Sequence, residues 1–204
     1  MIAAEDKQAA APPANLQQLR APSRTRSRAR KVFRWIERLL AGIGLTFLIY
    51  HFCFEITAMT SDSMAPTLRG TSYENGDRIL TEKVTGWFRS PKRWEIYFFY
   101  NEDGTPVAKR IVGLPGEKIS IKDKRIYING VELHPPVYLK TQKYYPFGHL
   151  NGGREVDCGR GYYVLGDDSR DSYDSRFIGP VNGKQFRGRV CFILTPLSRF
   201  GFVH

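Results

Sequence analysis

The chain has 204 residues, of which 42% are hydrophobic, and a formal net charge of +11. This size and composition predict a folded domain with a hydrophobic core and exclude a wholly disordered chain. Nine of the 31 basic residues fall within residues 1–38, and such a basic segment is typical of contact with nucleic acid or with a membrane.

Residues 1–31 are rich in Ala, Pro, Gln and Arg and lack hydrophobic periodicity, which predicts a disordered cytoplasmic tail. Residues 39–54 then carry no Asp, Glu, Lys or Arg. As a helix this stretch would span about 24 Å, somewhat less than the roughly 30 Å of a hydrocarbon core, but apolar neighbours on both sides extend it. We predict a transmembrane helix over residues 32–56.

A cleavable secretory signal is the alternative, because it has the same order of basic and then apolar residues. The residues that follow the apolar stretch, FEITAMT, make a poor cleavage site, which favours a retained anchor. The arginines before the anchor place the N-terminus in the cytoplasm and residues 57–204 outside it. We therefore expect a single-pass protein of the cell membrane that contacts the lipid bilayer and no nucleic acid.

From residue 57 onward, short apolar and aromatic segments alternate with turn residues, as in antiparallel strands. Three dipeptides typical of tight turns separate such segments: Asn75-Gly76, Asp103-Gly104 and Asn129-Gly130. Residues 146–161 are interpreted as an irregular loop. Residues 57–204 are therefore predicted to form a mostly antiparallel β domain. Whether Cys158 and Cys191 form a disulfide or remain free thiols is left open.

Ser63, in the stretch TSDSMAPTL, is a candidate nucleophile that needs a base. The chain has only four histidines; His51 lies in the predicted anchor and the others are in no motif that fixes an imidazole. This disfavours a Ser-His-Asp arrangement and leaves lysine as the base. Lys109 shares a predicted strand face with Val107 and Ile111, and burial there would lower its pKa.

The alternative for Lys109 is an edge-strand lysine whose amine lies in water. A third polar stretch, GDDSRDSYDSRFIGP, covers residues 166–180. It lacks the glycine and the terminal glutamate of a calcium-binding EF-hand loop, so we expect no metal and no other cofactor. Asp174 and Arg176, two apart on an extended chain, are expected to brace one another or the neighbouring strands.

Together these stretches resemble the boxes of the bacterial type I signal peptidases, which are membrane-bound endopeptidases with a Ser/Lys dyad. The matching stretches occur in the family's order: SDSMAPTL, NGD at residues 75–77, KRIVGLPGE and GDDSRDSYDSR. The resemblance covers about residues 35–195. It implies a mostly antiparallel β domain with its catalytic groove on the membrane-facing side.

The resemblance also implies site roles. Ser63 would be the nucleophile and Lys109 the general base, while the Ser61 hydroxyl and the Ser63 amide would form the oxyanion hole. Ser172 would orient the lysine amine. Asp174 and Arg176 would form a supporting pair, although the last box reads GDDSR where GDNR is commoner. Three residues fall where the family lines its small P1 and P3 pockets: Met64, Leu68 and Ala108.

The activity implied by the resemblance is removal of N-terminal signal peptides from exported proteins after small residues. The self-cleaving repressors share a Ser/Lys dyad, but they carry a DNA-binding domain that residues 1–30 cannot form. A rival of another class is a membrane-tethered β module without catalysis, whose basic tail binds anionic lipid. That rival assigns no special property to Ser63 or Lys109.

Overall fold

The computed structural model describes residues 24–70, 76–101 and 103–203. The chain divides into one compact unit that ends at Thr46 and a second that begins at Phe47. Helix α1 runs over Arg24–Cys53, a sequence rich in the strong helix formers Arg and Leu. No helix within the described ranges is long and apolar enough to cross a membrane.

The ends of α1 differ from the expected segment. The helix begins at Arg24, so residues 24–31 are helical where a disordered tail was expected, and residues 1–23 lie outside the described residues. The helix ends at Cys53, because Phe54–Ala58 pair with the next strand instead. Residues 54–56 therefore belong to the β domain.

Two antiparallel sheets make up the rest of the structure. The larger sheet has the strand order β1-β2-β10-β3-β4-β9, with β11 added beside β10. Its strands are β1 Phe54–Ala58, β2 Arg78–Glu82, β3 Ile96–Tyr100, β4 Pro106–Gly113, β9 Tyr163–Leu165, β10 Phe186–Thr195 and β11 Gly201–Phe202. The smaller sheet has the order β7-β6-β5-β8. Its strands are β5 Lys118–Lys122, β6 Arg125–Ile128, β7 Val131–Glu132 and β8 Val156–Asp157.

Short helical turns connect the strands. Two are single α-turns, α2 over Thr85–Phe88 and α3 over Ser175–Ile178. The others are 3₁₀ segments: Val137–Leu139, Gly148–Gly153, Gly183–Gln185 and Leu197–Arg199. The segment Gly148–Gly153 is interrupted by the non-helical Asn151 and Gly152. The expected irregular loop at 146–161 thus contains this kinked segment and strand β8.

The mostly antiparallel β architecture is confirmed, and the described turn dipeptides lie where expected. Asn129 and Gly130 both have positive φ, at 50° and 80°, as a type I′ turn between β6 and β7 requires. Gly104 has a φ of 74° between the paired strands β3 and β4. Asn75 lies outside the described residues. All three cysteines are free, so Cys158 and Cys191 do not form a disulfide.

Strand β4 positions the site because it is covered on both faces. Ala108 packs with Phe98 in one apolar cluster, and Ile111 packs with Phe99 in a second. Val112 belongs to a third cluster beneath the smaller sheet. Lys109 and Arg110 lie on this doubly covered strand, and both are buried.

Candidate active site

Ser63 lies on a loop between β1 and β2, and Asp77 holds both ends of that loop. The Met59 amide donates to the Asp77 carbonyl at 2.8 Å, and the Asp77 amide donates to the Arg69 carbonyl at 2.7 Å. The Asp77 carboxylate accepts from the Arg69 amide at 2.8 Å and from the Arg199 guanidinium at 2.8 and 2.9 Å. Asp77 belongs to the NGD stretch, so this short motif fixes the serine loop.

The loop is also closed from within. The Gly70 amide donates to the Asp62 carboxylate at 2.9 Å, and the Ala65 amide donates to the Asp62 carbonyl at 2.7 Å. A Cβ at position 70 would overlap the Ser61 backbone. A glycine is therefore required where the loop closes beside Ser61.

The structure brings Ser63 and Lys109 together. The Lys109 Nζ lies 2.5 Å from the Ser63 Oγ, and the two residues are 3% and 6% exposed. The Ser61 Oγ lies 3.2 Å from the Ser63 Oγ. The predicted nucleophile and base thus form one nearly water-free pair, with the exposed Ser61 hydroxyl at its edge, and the alternative of a solvated edge-strand lysine is wrong for Lys109.

Burial lowers the pKa of Lys109 from its ordinary 10.5 to about 8. Nearby charges modify this effect, because the Asp174 carboxylate raises the pKa and the Arg176 guanidinium lowers it. Burial dominates because it removes water from the ammonium form. A substantial fraction of Lys109 is therefore neutral near pH 8, and a neutral amine can accept the proton of the Ser63 hydroxyl.

Asp174 and Arg176 form a buried, fully hydrogen-bonded pair. Both side chains are 0% exposed, and the Arg176 guanidinium donates to the two Asp174 carboxylate oxygens at 2.8 Å each. The carboxylate also accepts from the Gly166 amide at 2.9 Å and caps α3 through the Arg176 amide. The expectation that these two residues brace one another matches this geometry.

Ser172 differs from its expected contact. The Ser172 hydroxyl donates to the Asp174 carboxylate at 2.8 Å. The Lys109 amine instead forms its hydrogen bond with the Ser63 hydroxyl. An ionised carboxylate two residues away is a stronger acceptor than an amine, which accounts for this preference. Ser172 therefore does not orient the lysine amine directly in this structure.

Gly166 lets the polar loop approach the serine. A Cβ at this position would overlap both the Ser172 Oγ and the Ser63 carbonyl oxygen. The Asp168 amide donates to the same Ser63 carbonyl at 3.1 Å. The loop of residues 166–176 therefore fixes the backbone of the candidate nucleophile.

A second buried ion pair was not predicted from the sequence. The Arg110 guanidinium donates to the two Asp167 carboxylate oxygens at 2.8 and 2.7 Å, and both side chains are 0% exposed. The Thr67 hydroxyl donates to the same carboxylate at 2.5 Å. The pair therefore ties the serine loop to β4 and to the polar loop. The sequence indicates this pair only through position, because Arg110 directly follows Lys109 and Asp167 directly follows Gly166.

Met64, Leu68 and Ala108 lie together in the apolar cluster that contains Phe98. Their exposed fractions are 0%, 0% and 1%. Their roles in substrate pockets stay predictions.

Within the described ranges, no group of three or more His, Cys, Asp or Glu side chains is placed to hold a metal ion.

Comparison with known families agrees with the motifs. A family model described as "Signal peptidase, peptidase S26" matches residues 32–195. The chain belongs to this family. It is therefore a peptidase, and the resemblance inferred from its sequence motifs is confirmed.

Relatives of this signal peptidase family member match over most of their length. Signal peptidase I S of Bacillus subtilis is 31% identical over 180 residues, covering 84% of this chain and 94% of the relative. Signal peptidase I V of the same organism is 33% identical over 166 residues, covering 76% and 95%. The crystal structure of a signal peptidase I from Enterococcus faecalis is 33% identical, covers 52% of this chain and 98% of that chain, and has a TM-score of 0.40.

Proposed function

We propose that this peptidase cleaves signal peptides from exported proteins with Ser63 as nucleophile and Lys109 as general base. The observation that carries the proposal is the 2.5 Å contact between the Lys109 Nζ and the Ser63 Oγ. Because both residues are buried, the contact lies where the lysine pKa is lowered. A nucleophile hydrogen-bonded to its own base is the arrangement that covalent catalysis requires.

In the proposed reaction the neutral Lys109 amine accepts the Ser63 proton while the Oγ attacks the scissile carbonyl. The ammonium that results donates its proton to the leaving amine as the peptide bond breaks. A water molecule then attacks the acyl-serine, with Lys109 again as the base. Over one cycle the Ser63 proton leaves on the product amine, and a proton of the water passes through Lys109 to Ser63 Oγ as the acyl bond breaks, which restores the serine hydroxyl and the neutral lysine.

The proposed oxyanion hole consists of the Ser63 amide and the Ser61 hydroxyl. The Ser61 Oγ lies 3.2 Å from the Ser63 Oγ, so it can reach an oxygen on the carbon that Ser63 attacks. The contact between the Asp168 amide and the Ser63 carbonyl holds this part of the backbone. A single donor of this kind typically contributes about 10²–10³ in rate.

Ser172, Asp174 and Arg176 are proposed to support the site without touching the substrate. The Asp174 carboxylate and the Arg176 guanidinium act on the Lys109 pKa in opposite directions. Because they are paired, their effects partly cancel and burial sets the pKa. Ser172 contributes by occupying one lone pair of the carboxylate, which limits its attraction for the lysine proton.

Small residues are the proposed preference at the cleaved position, with pockets walled by Met64, Leu68 and Ala108. These side chains pack in one buried cluster. Met64 directly follows Ser63 and Ala108 directly precedes Lys109 in the chain, while Leu68 lies further along the serine loop. A substrate side chain beside the Ser63–Lys109 pair would therefore meet tightly packed apolar atoms. Such a surface favours small apolar groups over large or charged ones.

We also propose that α1 holds the enzyme at the lipid bilayer of the cell membrane, with residues 57–204 on the extracytoplasmic side. Large apolar side chains of the helix are exposed, among them Leu39 at 63%, Phe47 at 63% and Phe52 at 60%. Exposed apolar side chains at this density are typical of contact with lipid. Carbonate extraction of membranes and protease protection of a tagged N-terminus test the anchor and its orientation.

The decisive experiment for the catalytic roles is cleavage of a signal-peptide substrate in detergent by Ser63→Ala and Lys109→Ala. Each variant is expected to lose at least about 10³ in kcat/KM while keeping its circular dichroism spectrum. Ser198→Ala and Lys143→Ala, at exposed positions, serve as matched controls with normal turnover. Normal turnover by Ser63→Ala or Lys109→Ala would refute the assignment and favour a non-catalytic tethered module.

A further inference from the structure

A cavity of about 540 Å³ lies in the second unit and shares no lining residue with the Ser63–Lys109 site. Its wall is formed mainly by three segments: the end of α1 at Phe52, residues 83–91 around α2, and residues 182–188 at the start of β10. The aromatic rings of Tyr97, Tyr162 and Phe186 form its apolar part. The proposed peptidase reaction assigns no role to this cavity.

The charged residues that line the cavity are all cationic. They are Lys83, Arg89, Arg160, Lys184 and Arg187, and no Asp or Glu lines it. Lys83 contacts the Glu55 carboxylate and Arg89 the Glu95 carboxylate. The other three have no carboxylate within 4.0 Å in the described part of the chain. A concave surface whose charged residues are all positive attracts an anion.

Tyr97 supplies a donor that lacks an acceptor. Its side chain lines the cavity and is 2% exposed, yet its hydroxyl has no hydrogen-bond partner among the described residues. Burial, assisted by the Glu95 carboxylate, raises the pKa of Tyr97 to about 12, so the hydroxyl keeps its proton at neutral pH. Buried polar groups are rarely left unpaired. The hydroxyl oxygen is closed to solvent in this structure, so an anionic oxygen would satisfy it once the cavity wall beside it opens.

The rim of the cavity favours a lipid over a free anion. Trp87 lines the cavity and is 61% exposed, and the adjacent Phe88 is 81% exposed. Phe52, in the last turn of α1, lines the same cavity. A free phosphate would use the cations but leave these rings in water, whereas a phospholipid would cover them with its glycerol and acyl chains. Trp side chains beside cations are typical of a membrane interface.

We propose that this cavity binds the phosphate group of an anionic phospholipid, with Arg160, Lys184 and Arg187 as its cations and the Tyr97 hydroxyl as a neutral donor. The exposed Trp87 and Phe88 contact the lipid's glycerol and acyl region. The site is separate from the proposed catalytic residues, so it stands or falls independently of them. It would give the enzyme a preference for anionic bilayers beyond the general attraction of its basic N-terminal segment.

The test is calorimetric titration of the full chain in a zwitterionic detergent with dihexanoylphosphatidylglycerol, dihexanoylphosphatidylcholine and inorganic phosphate. The phosphatidylglycerol is expected to bind saturably and at least 10-fold more tightly than the other two. The triple variant Arg160→Gln, Lys184→Gln and Arg187→Gln is expected to bind it at least 10-fold more weakly. Equal binding of phosphatidylcholine would overturn the anion requirement, and equal binding of phosphate would overturn the assignment to lipid.

A matched control separates the site from net charge. The triple variant Lys122→Gln, Lys143→Gln and Arg154→Gln removes the same charge from exposed residues outside the cavity and is expected to bind within twofold of wild type. Weakening equal to that of the cavity variant would overturn the proposal.

Tyr97→Phe gives an independent test, because it removes only the unpaired hydroxyl. Its melting temperature without lipid is expected to equal or exceed that of wild type, while its affinity for phosphatidylglycerol falls at least threefold. Unchanged affinity would overturn the role of Tyr97.

Discussion

Replacing Lys109 with methionine is expected to make the folded protein more stable at pH 7 while removing its proposed base. Burial lowers the pKa of Lys109 from 10.5 to about 8, so the unfolded chain binds this proton more tightly than the folded chain does. Stability therefore rises with pH between about 8 and 10.5. Below that window the folded protein carries the full cost of a buried ammonium group.

The magnitude follows from the lowered pKa. Each pH unit is worth about 1.4 kcal/mol, so the cost is about 3 kcal/mol at pH 7 and about 1 kcal/mol at pH 9.5. Methionine has a similar volume and no charge, and the loss of the hydrogen bond to Ser63 costs about 1 kcal/mol. The Asp174 carboxylate keeps its bonds to Gly166, Ser172 and Arg176. The expected net gain is about 2 kcal/mol at pH 7 and about zero at pH 9.5.

Urea unfolding at the two pH values measures this difference. Lys143→Met, at an exposed lysine, is the control and should change the free energy of unfolding by less than about 0.5 kcal/mol at both. A Lys109→Met protein that is less stable than wild type at pH 7, or whose difference from wild type is the same at both pH values, would refute the reasoning.

Two further predictions concern the residues that hold the site. Asp174→Asn leaves the buried Arg176 guanidinium without its counter-charge, so the free energy of unfolding should fall by about 3–5 kcal/mol; a urea midpoint close to wild type would contradict this. Gly166→Ala places a Cβ against Ser172 and the Ser63 carbonyl and should lower kcat at least about 10²-fold by displacing the nucleophile. Gly201→Ala, where a Cβ meets no atom within 4 Å, should keep wild-type activity, and equal activity of the two alanine variants would count against the role of Gly166.

Much of the β domain could be predicted because its signals are local. Turn dipeptides fix hairpins through the positive φ that they accept, as at Asn129-Gly130. The C-terminal end of α1 was harder to predict from the sequence, because the apolar pattern continues through Phe54 while the helix ends at Cys53. Pairing with β2 decides that boundary, and pairing is not visible in a single segment.

In the site, too, the features that depend on neighbouring residues could be predicted, and the contacts between distant residues could not. Alternation along β4 indicated that Lys109 could be buried, and the structure places its amine beside Ser63. Alternation puts Arg110 on the opposite face with the apolar Ala108 and Val112, which is compatible with burial of that face but does not identify a partner for the guanidinium. The Arg110–Asp167 pair depends on a residue 57 positions later in the chain. Such a pair follows from the packing of both faces of the sheet.

The preference of Ser172 for Asp174 was likewise beyond the sequence. The resemblance assigned this serine to the lysine amine, but the choice between two nearby acceptors depends on distances that only the fold sets. The Asp174 carboxylate lies 2.8 Å from the Ser172 hydroxyl. The local sequence contains both residues but does not fix which atoms meet.

The pH dependence of kcat/KM for a signal-peptide substrate tests the central claim most directly, because it reports the ionisation of the free enzyme's base. With Lys109 as the base, kcat/KM should rise with pH through a single group whose apparent pKa is about 8, as the lowered pKa of Lys109 requires. An acid limb that follows a group near 10.5 would contradict a buried lysine base. An acid limb that is the same in Lys109→Ala would show that another group accepts the Ser63 proton.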